Sequence, residues 1–470
     1  MTHWDESKDV IVIGSGLAGL AAAIEAAQAG ASVTVLEKMK MVGGNTRLSD
    51  GAFAAPCHDL QKKRGIKDST ELFYQDMLRA GLNLNHPQLV KIVAEKAAET
   101  IDWTIRDLGV SYQDRLDRFG GHSVARSLTT KSRSGIDIIK AQMTKLSQLG
   151  VEVRTRCLLL NFISDDSGIR GVRVRENYQF PDEDSGVIKN IGAKKGIVLA
   201  TGGYGSDLSF CKLQRPSLPD SIQSTNHRGA TAEGLIAALA SGALPVHLSW
   251  LQMGPWGCPE ETAWGKGGRF ASYSVYPAGI VIDPATGQRI LNEWADRRER
   301  SEAILQTGHP CIGIVDRRGA AMDLKTLKDC LKSGKVTSFQ DLSNLAEAFE
   351  IPPSPLSQTL STYNKAIANN LVDAFGKPLD QGVQPIDTPP YYAMRVWPKL
   401  HYTPGGIGIN SKAQVLNLQG QVIPGLFAAG EVVGGIHGAS RLSTCALIEC
   451  LVFGRIAGQE VAAGKIEQPS

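Results

Sequence analysis

The chain has 470 residues, 42% of them apolar and 21% charged, and carries a formal net charge of +3. That length exceeds what one compact core accommodates, and so small a charge, with its Lys/Arg clusters interleaved with acids, leaves no electrostatic footprint for nucleic acid. The eight cysteines form no C-x-x-C and no C-x-x-C-H, which excludes the usual zinc, iron–sulfur and attached-haem patterns from this sequence, so no metal is expected.

The opening MTHWDESKD is polar and runs directly into the first apolar stretch, and no run of eighteen apolar residues occurs. A cytoplasmic protein without a transmembrane segment is expected. Residues 9–13 read as a buried parallel strand, and Gly14, Gly16 and Gly19 follow with the G-x-G-x-x-G spacing that opens a helix over 20–29, closed by Gly30. Glycine is needed there because the tight turn and the approach of a pyrophosphate leave no room for a Cβ, while the helix start offers free N–H groups. A second strand, 32–36, delivers Glu37 to accept hydrogen bonds from ribose hydroxyls. Strand, fingerprint, helix, strand and acid in that order predict a dinucleotide site.

Further along, 87–108 reads as a helix, and 151–195 as a β-rich excursion with PDEDSG as a polar turn. IVLATGGYG, 197–205, is a buried strand entering another Gly-rich turn. From about 249 to 398 the nucleotide pattern lapses. There 250–277, rich in Gly, Pro and aromatics, reads as loops over a pocket, AGIVID as a strand and 296–306 as a helix. Pro352, Pro353 and Pro355 mark a break before a helix over 356–370. The pattern then returns with HYTPGG, GLFAAGE and HGASRL. The expected architecture is α/β: a discontinuous Rossmann-like dinucleotide-binding domain, 1–248 and 399–470, with an inserted α+β capping domain, 249–398. Caps of this kind can close over a bound cofactor and exclude water.

MVGGNTRLSDGAFAAP, IVLATGGYG and GLFAAGE resemble the FAD-contacting segments of the fumarate reductase and succinate dehydrogenase flavoprotein family, over nearly the whole chain. Most similar are the soluble single-chain fumarate reductases of flavocytochrome c type, which implies that the larger domain is a Rossmann-like FAD-binding domain of glutathione reductase type; no haem domain is expected. The resemblance implies FAD contacts from Gly14, Gly16, Gly19, Glu37, Lys38, Gly44, Asn45, Thr46, Ser49, Gly51, Thr201, Gly202, Gly430, Glu431, Ser443 and Leu447. Membrane-bound relatives attach FAD to a histidine where this chain has Asn45, so noncovalent FAD is expected. In the same way the resemblance implies that Arg297 donates the proton to the substrate carbon opposite the hydride, and that His401 and Arg441 hold a carboxylate beside the flavin. The residue types suit this: arginine offers a bidentate fork, and histidine a second donor.

Departures from the family bear on the substrate. The histidine and Thr-Glu pair that hold the second carboxylate of fumarate align with Gly254 and with Ala271 and Ser272. Met253, Trp256, Phe270, Tyr273 and Tyr276 lie nearby in sequence and favour an apolar or aromatic group. The expected reaction is therefore reduction, or formation, of the double bond of an α,β-unsaturated monocarboxylate, with or without a ring, rather than fumarate, by hydride transfer at flavin N5. The family's relay glutamate and second arginine align with Ser272 and Val275, which leaves Glu293, Asp296, Glu299 and the tyrosines as proton sources. If Tyr273, Tyr276 or Tyr402 were the acid or base, the enzyme would instead be a flavin desaturase of a ring ketone or oxo-acid. The sequence assigns no electron donor or acceptor.

Overall fold

A computed structural model describes residues 3–379 and 383–464. It divides into two compact units: Met1–Leu218 with His227–Leu251 and Tyr402–Ser470, and Pro219–Asn226 with Gln252–His401. His401 thus belongs to the second unit, and the short 219–226 segment joins it there without any signal in its sequence.

The first unit is built on a sheet whose central strands are all parallel. Val422–Ala428, Val187–Leu199, Glu6–Ile13, Val33–Glu37 and Glu152–Thr155 lie side by side in that order, with Gln414–Leu416 antiparallel on one edge. Residues 10–13 and 197–199 are almost wholly buried, as a strand covered on both faces requires. The helix is Leu17–Gln28, and its Ala-rich face packs on Cys445–Ala463; Gly454 and Gly458 meet Ala18 and Ala22 so closely that a Cβ would fall within 2.5 Å of their carbonyls. The expected excursion is the antiparallel hairpin Cys157–Asp165 and Gly168–Glu176, continued onto Val187–Leu199 through the 181–186 turn.

The second unit holds a five-stranded antiparallel sheet in the order Gln288–Arg289, Ile280–Asp283, Cys311–Val315, Tyr391–Val396, Thr337–Phe339. Two of its elements differ from expectation. The glycine-rich stretch read as loops is helical from Gly265 to Ala278, with a π-helical turn at Ala271–Val275. Gly267 and Gly268 give it close packing, since a Cβ on either would press on Cys258 or Trp264 at 2.7–2.8 Å; burial outweighs weak helix propensity here. The other is the helix Pro353–Ala368, which contains Pro353 and Pro355 in its first turn, where no intrahelical N–H is needed. Among the described residues no helix is long and apolar enough to cross a membrane.

Candidate functional site: a nucleotide groove and an arginine–histidine pair

In the first unit a groove runs along the ends of the parallel strands. Gly14, Gly16, Glu37, Lys38, Gly44, Asn45, Thr46, Thr201, Gly202, Gly430 and Glu431 all line it. The glycines have different reasons to be there. Gly14 has φ +102°, and a Cβ would stand 2.3 Å from the Ala200 carbonyl oxygen; Gly19 is a packing glycine, 2.0 Å from the Gly14 oxygen by the same measure. At Gly16, Gly44 and Gly202, by contrast, a Cβ would meet nothing within 4 Å. That open space, at the start of the Leu17–Gln28 helix with its unsatisfied first-turn N–H groups, suits a pyrophosphate. The residues present therefore fit FAD.

Polar groups fix the groove's walls. One oxygen of Glu37 accepts from the Ser15 amide (3.1 Å) and hydroxyl (2.6 Å), and the other from the Met39 amide (2.8 Å). Lys38 pairs with Glu233 at 3.0 Å and also donates to Thr231. Asn45 Oδ1 accepts from the His227 amide at 2.6 Å. Glu431 is buried and accepts from the Thr403 amide and hydroxyl at 3.0 and 3.2 Å; burial pushes its carboxyl up despite those bonds. Beside it on the last helix, Glu449 is raised to about 8 by burial.

Not every expected contact lines this groove. Ser49 spends its hydroxyl on the Thr46 carbonyl (2.7 Å), and Gly51, at φ +65°, is hemmed in by Thr130 and Ser134. Ser443 and Leu447 stand apart, at the start of the Cys445–Ala463 helix. The Ser443 carbonyl accepts from His122 Nε2 at 2.6 Å, and Arg126 donates to His122 Nδ1 at 3.0 Å. That pair of bonds defines a neutral Nε2–H imidazole, in keeping with burial that depresses it to about 3. Arg126 is anchored in turn by fully buried Asp68 and Asp76 at 2.8 and 2.6 Å. Sequence reasoning missed Ser15, His227, Thr231 and Glu233; small residues in GATAEG ahead of an apolar helix were the one available signal.

Arg441, also in the first unit, is buried with its guanidinium 4.7 Å over the Tyr402 ring, and Nη1 donates to the Leu442 carbonyl at 2.9 Å. The His437 ring meets the same tyrosine edge-on at 5.5 Å. Burial pushes the Tyr402 phenol far up, which opposes a phenolate base.

The second unit gathers Arg297 and His401 on one indole. Arg297 is the first residue of the helix Arg297–Gln306, capped by Asp296, whose Oδ1 accepts from the Arg298 and Glu299 amides at 2.7 and 3.1 Å. Its guanidinium lies 4.6 Å over Trp256, and Trp256 meets His401 edge-on at 5.2 Å and 79°. The neighbouring arginines differ: Arg298 pairs with Glu302 on the surface, while Arg300 is buried 4.6 Å over Tyr276. The run is therefore three environments, not a solvated charge patch. His401 Nδ1 is 2.7 Å from the Thr225 hydroxyl, supplied by the 219–226 segment and missed from sequence. That hydroxyl also lies 3.3 Å from the Leu400 carbonyl; when it donates to the ring instead, Nε2 carries the ring proton and is a donor.

Two of the suggested proton sources are otherwise engaged. Glu293 accepts from the Val281 amide at 3.0 Å and from Arg289 at 2.9 and 2.5 Å, with Lys377 at 3.5 Å. The Tyr276 hydroxyl donates to the Pro255 carbonyl at 2.9 Å, and burial pushes its phenol up. Tyr273 sits half-buried in the π-helical turn.

Comparison with known proteins agrees with these features. A family profile described as FAD binding domain matches residues 9–447. The chain is 39% identical over 467 residues to the acrylate reductase flavoprotein subunit of Shewanella woodyi, covering 97% of this chain and 91% of that one. It is 32% identical to the urocanate reductase of Eggerthella lenta, covering 97% and 74%. The open conformation of a flavocytochrome c3 fumarate reductase superposes with a TM-score of 0.78 at 31% identity, covering 98% and 79%. The chain belongs to the FAD-binding family that includes the fumarate reductase flavoproteins, and is an FAD-dependent oxidoreductase.

Proposed function

We propose that this enzyme reduces the carbon–carbon double bond of an α,β-unsaturated monocarboxylic acid. The observation that carries this reading is the 39% identity, over 97% of the chain, to an acrylate reductase flavoprotein subunit. In the proposed roles, Arg441 and His401 hold the substrate carboxylate, and Arg297 delivers a proton to the α-carbon. Bound FAD supplies the hydride that the β-carbon receives from N5. Both additions together saturate the bond.

The chemistry of the side chains supports these roles. Arg441 is buried, which lowers its usual range, and an anion bound to the guanidinium would offset the cost of burying that charge. His401, when the Thr225 hydroxyl donates to its Nδ1, carries an Nε2–H that suits an acid. Arg297 opens its helix with the guanidinium laid on the Trp256 face, which fixes the direction in which a proton could be delivered. Asn45 has no nucleophile, so FAD is held without a covalent bond; acid precipitation should leave a colourless protein pellet and a yellow supernatant. Ser443 and Leu447, at the head of the last helix, are proposed to rest against the isoalloxazine.

The direct test is product analysis. With a reduced viologen as electron source, acrylate should yield propionate by NMR. Absence of reduction with acrylate and with substituted monocarboxylic enoates would overturn the proposal.

A further inference from the structure

We infer that Trp256 sets the substrate limit, confining the enzyme to short enoates that carry nothing bulky or charged on the β-carbon. The inference rests on the proposed reduction of a monocarboxylate and names which members of that class fit.

Its basis lies within the second unit. The short strand Gln252–Gly254 runs beside the strand that carries His401. A Cβ at position 254 would stand 3.1 Å from both Cε2 and Cζ2 of Trp256 and 3.3 Å from Cβ of His401. The indole therefore fills the space next to His401 that a side chain on residue 254 would otherwise claim. Trp256 is only 5% exposed, and its Nε1 is buried without a hydrogen-bond partner. A donor left so costs stability, which means that ring packing holds the indole in place. That packing consists of the Arg297 guanidinium on its face and the His401 ring at its edge.

Two consequences follow. Trp256 is a positioning residue, since the groups proposed to deliver the proton and hold the acid both rest on it. It is also a wall: beside His401 the indole stands where a side chain on residue 254 could otherwise reach a second carboxylate, and it takes up room an aryl substituent would need, so the aromatic residues expected to favour a ring act here to exclude one. A three-carbon acid presents neither.

The test uses the FAD-loaded enzyme and compares kcat/KM for acrylate, trans-cinnamate and fumarate in wild type, Trp256→Phe, Trp256→Leu and Trp256→Ala, with the flavin spectrum as the check on folding. The acrylate-to-cinnamate ratio should fall by about tenfold or more in the alanine variant and by less in the phenylalanine variant, in line with the discrimination a hydrophobic pocket supplies. Equal losses for both acids, leaving the ratio at its wild-type value across the series, would show a merely structural role and overturn the inference. So would a wild type that reduces cinnamate as well as acrylate. Failure of the wild type on every enoate would overturn the proposed function itself, a distinct result.

Discussion

In the first unit Gly14 and Gly19 press on backbone, whereas in the second Gly254 presses on a side chain. A Cβ at Gly14 would strike the Ala200 carbonyl at 2.3 Å, and one at Gly19 the Gly14 carbonyl at 2.0 Å. Those contacts belong to the crossing of the main chain itself, so they recur wherever a strand–turn–helix cradles a pyrophosphate. At Gly254 the neighbours are an indole and a Cβ. The glycine turn at the nucleotide groove is thus a property of backbone and local motif, while the substrate limit is set by which side chains share a space. One can be read from a short string of residues; the other needs the fold.

The comparison breaks most visibly at the chemistry. Arg297→Ala should lower kcat by about 10²–10⁴-fold, the usual worth of a positioned proton donor, while the bound flavin spectrum stays intact. Loss of flavin along with turnover would mean that Arg297 supports the groove instead. Next in size is the backbone clash. Gly14→Ala should destabilise the protein by about 2–4 kcal/mol and abolish FAD retention, because the φ of +102° and the Ala200 oxygen both oppose a Cβ. Gly16→Ala, with open space and an ordinary φ, should fold as wild type yet bind FAD more weakly; thermal melts with and without added FAD separate the two.

Gly254→Ala sharpens the contrast. Its 3.1 Å contacts are with an indole that can give by a few tenths of an ångström, so a melting temperature near wild type and a loss of acrylate turnover of less than about tenfold are expected. A collapse like that of Gly14→Ala would erase the distinction between the two units.

The smallest effect concerns pH. Burial raises Glu449 from its ordinary 4.5 to about 8, with Glu431 adding to the shift. The neutral acid is therefore favoured in the folded chain. Its contribution to stability is whole below about pH 4.5 and is lost as pH rises toward 8. Across that window the wild-type melting temperature should decline more steeply than that of Glu449→Gln. Parallel curves would show that the carboxyl titrates normally.

The legible parts of this chain share a physical origin. The strand at 6–13, the glycine turn, the helix from Leu17 and Glu37 are dictated by nearby residues, and they stand where the pattern predicts, within a few residues. The helix at 265–278 was illegible because its glycines signal loops by propensity and are tolerated only through contacts with Cys258 and Trp264. Thr225 was equally hidden: its tie to His401 spans 176 residues, and nothing in SIQSTN marks it. Arg297 was singled out through the family resemblance alone, and the indole under its guanidinium had no signal linking the two.

The central claim is that the acid-binding groups serve a single carboxylate. Stopped-flow mixing of the anaerobically photoreduced enzyme with acrylate or with fumarate tests it most directly, with flavin reoxidation as the signal. Reoxidation by acrylate at least about tenfold faster than by fumarate is predicted. Equal rates, or a preference for fumarate, would contradict it.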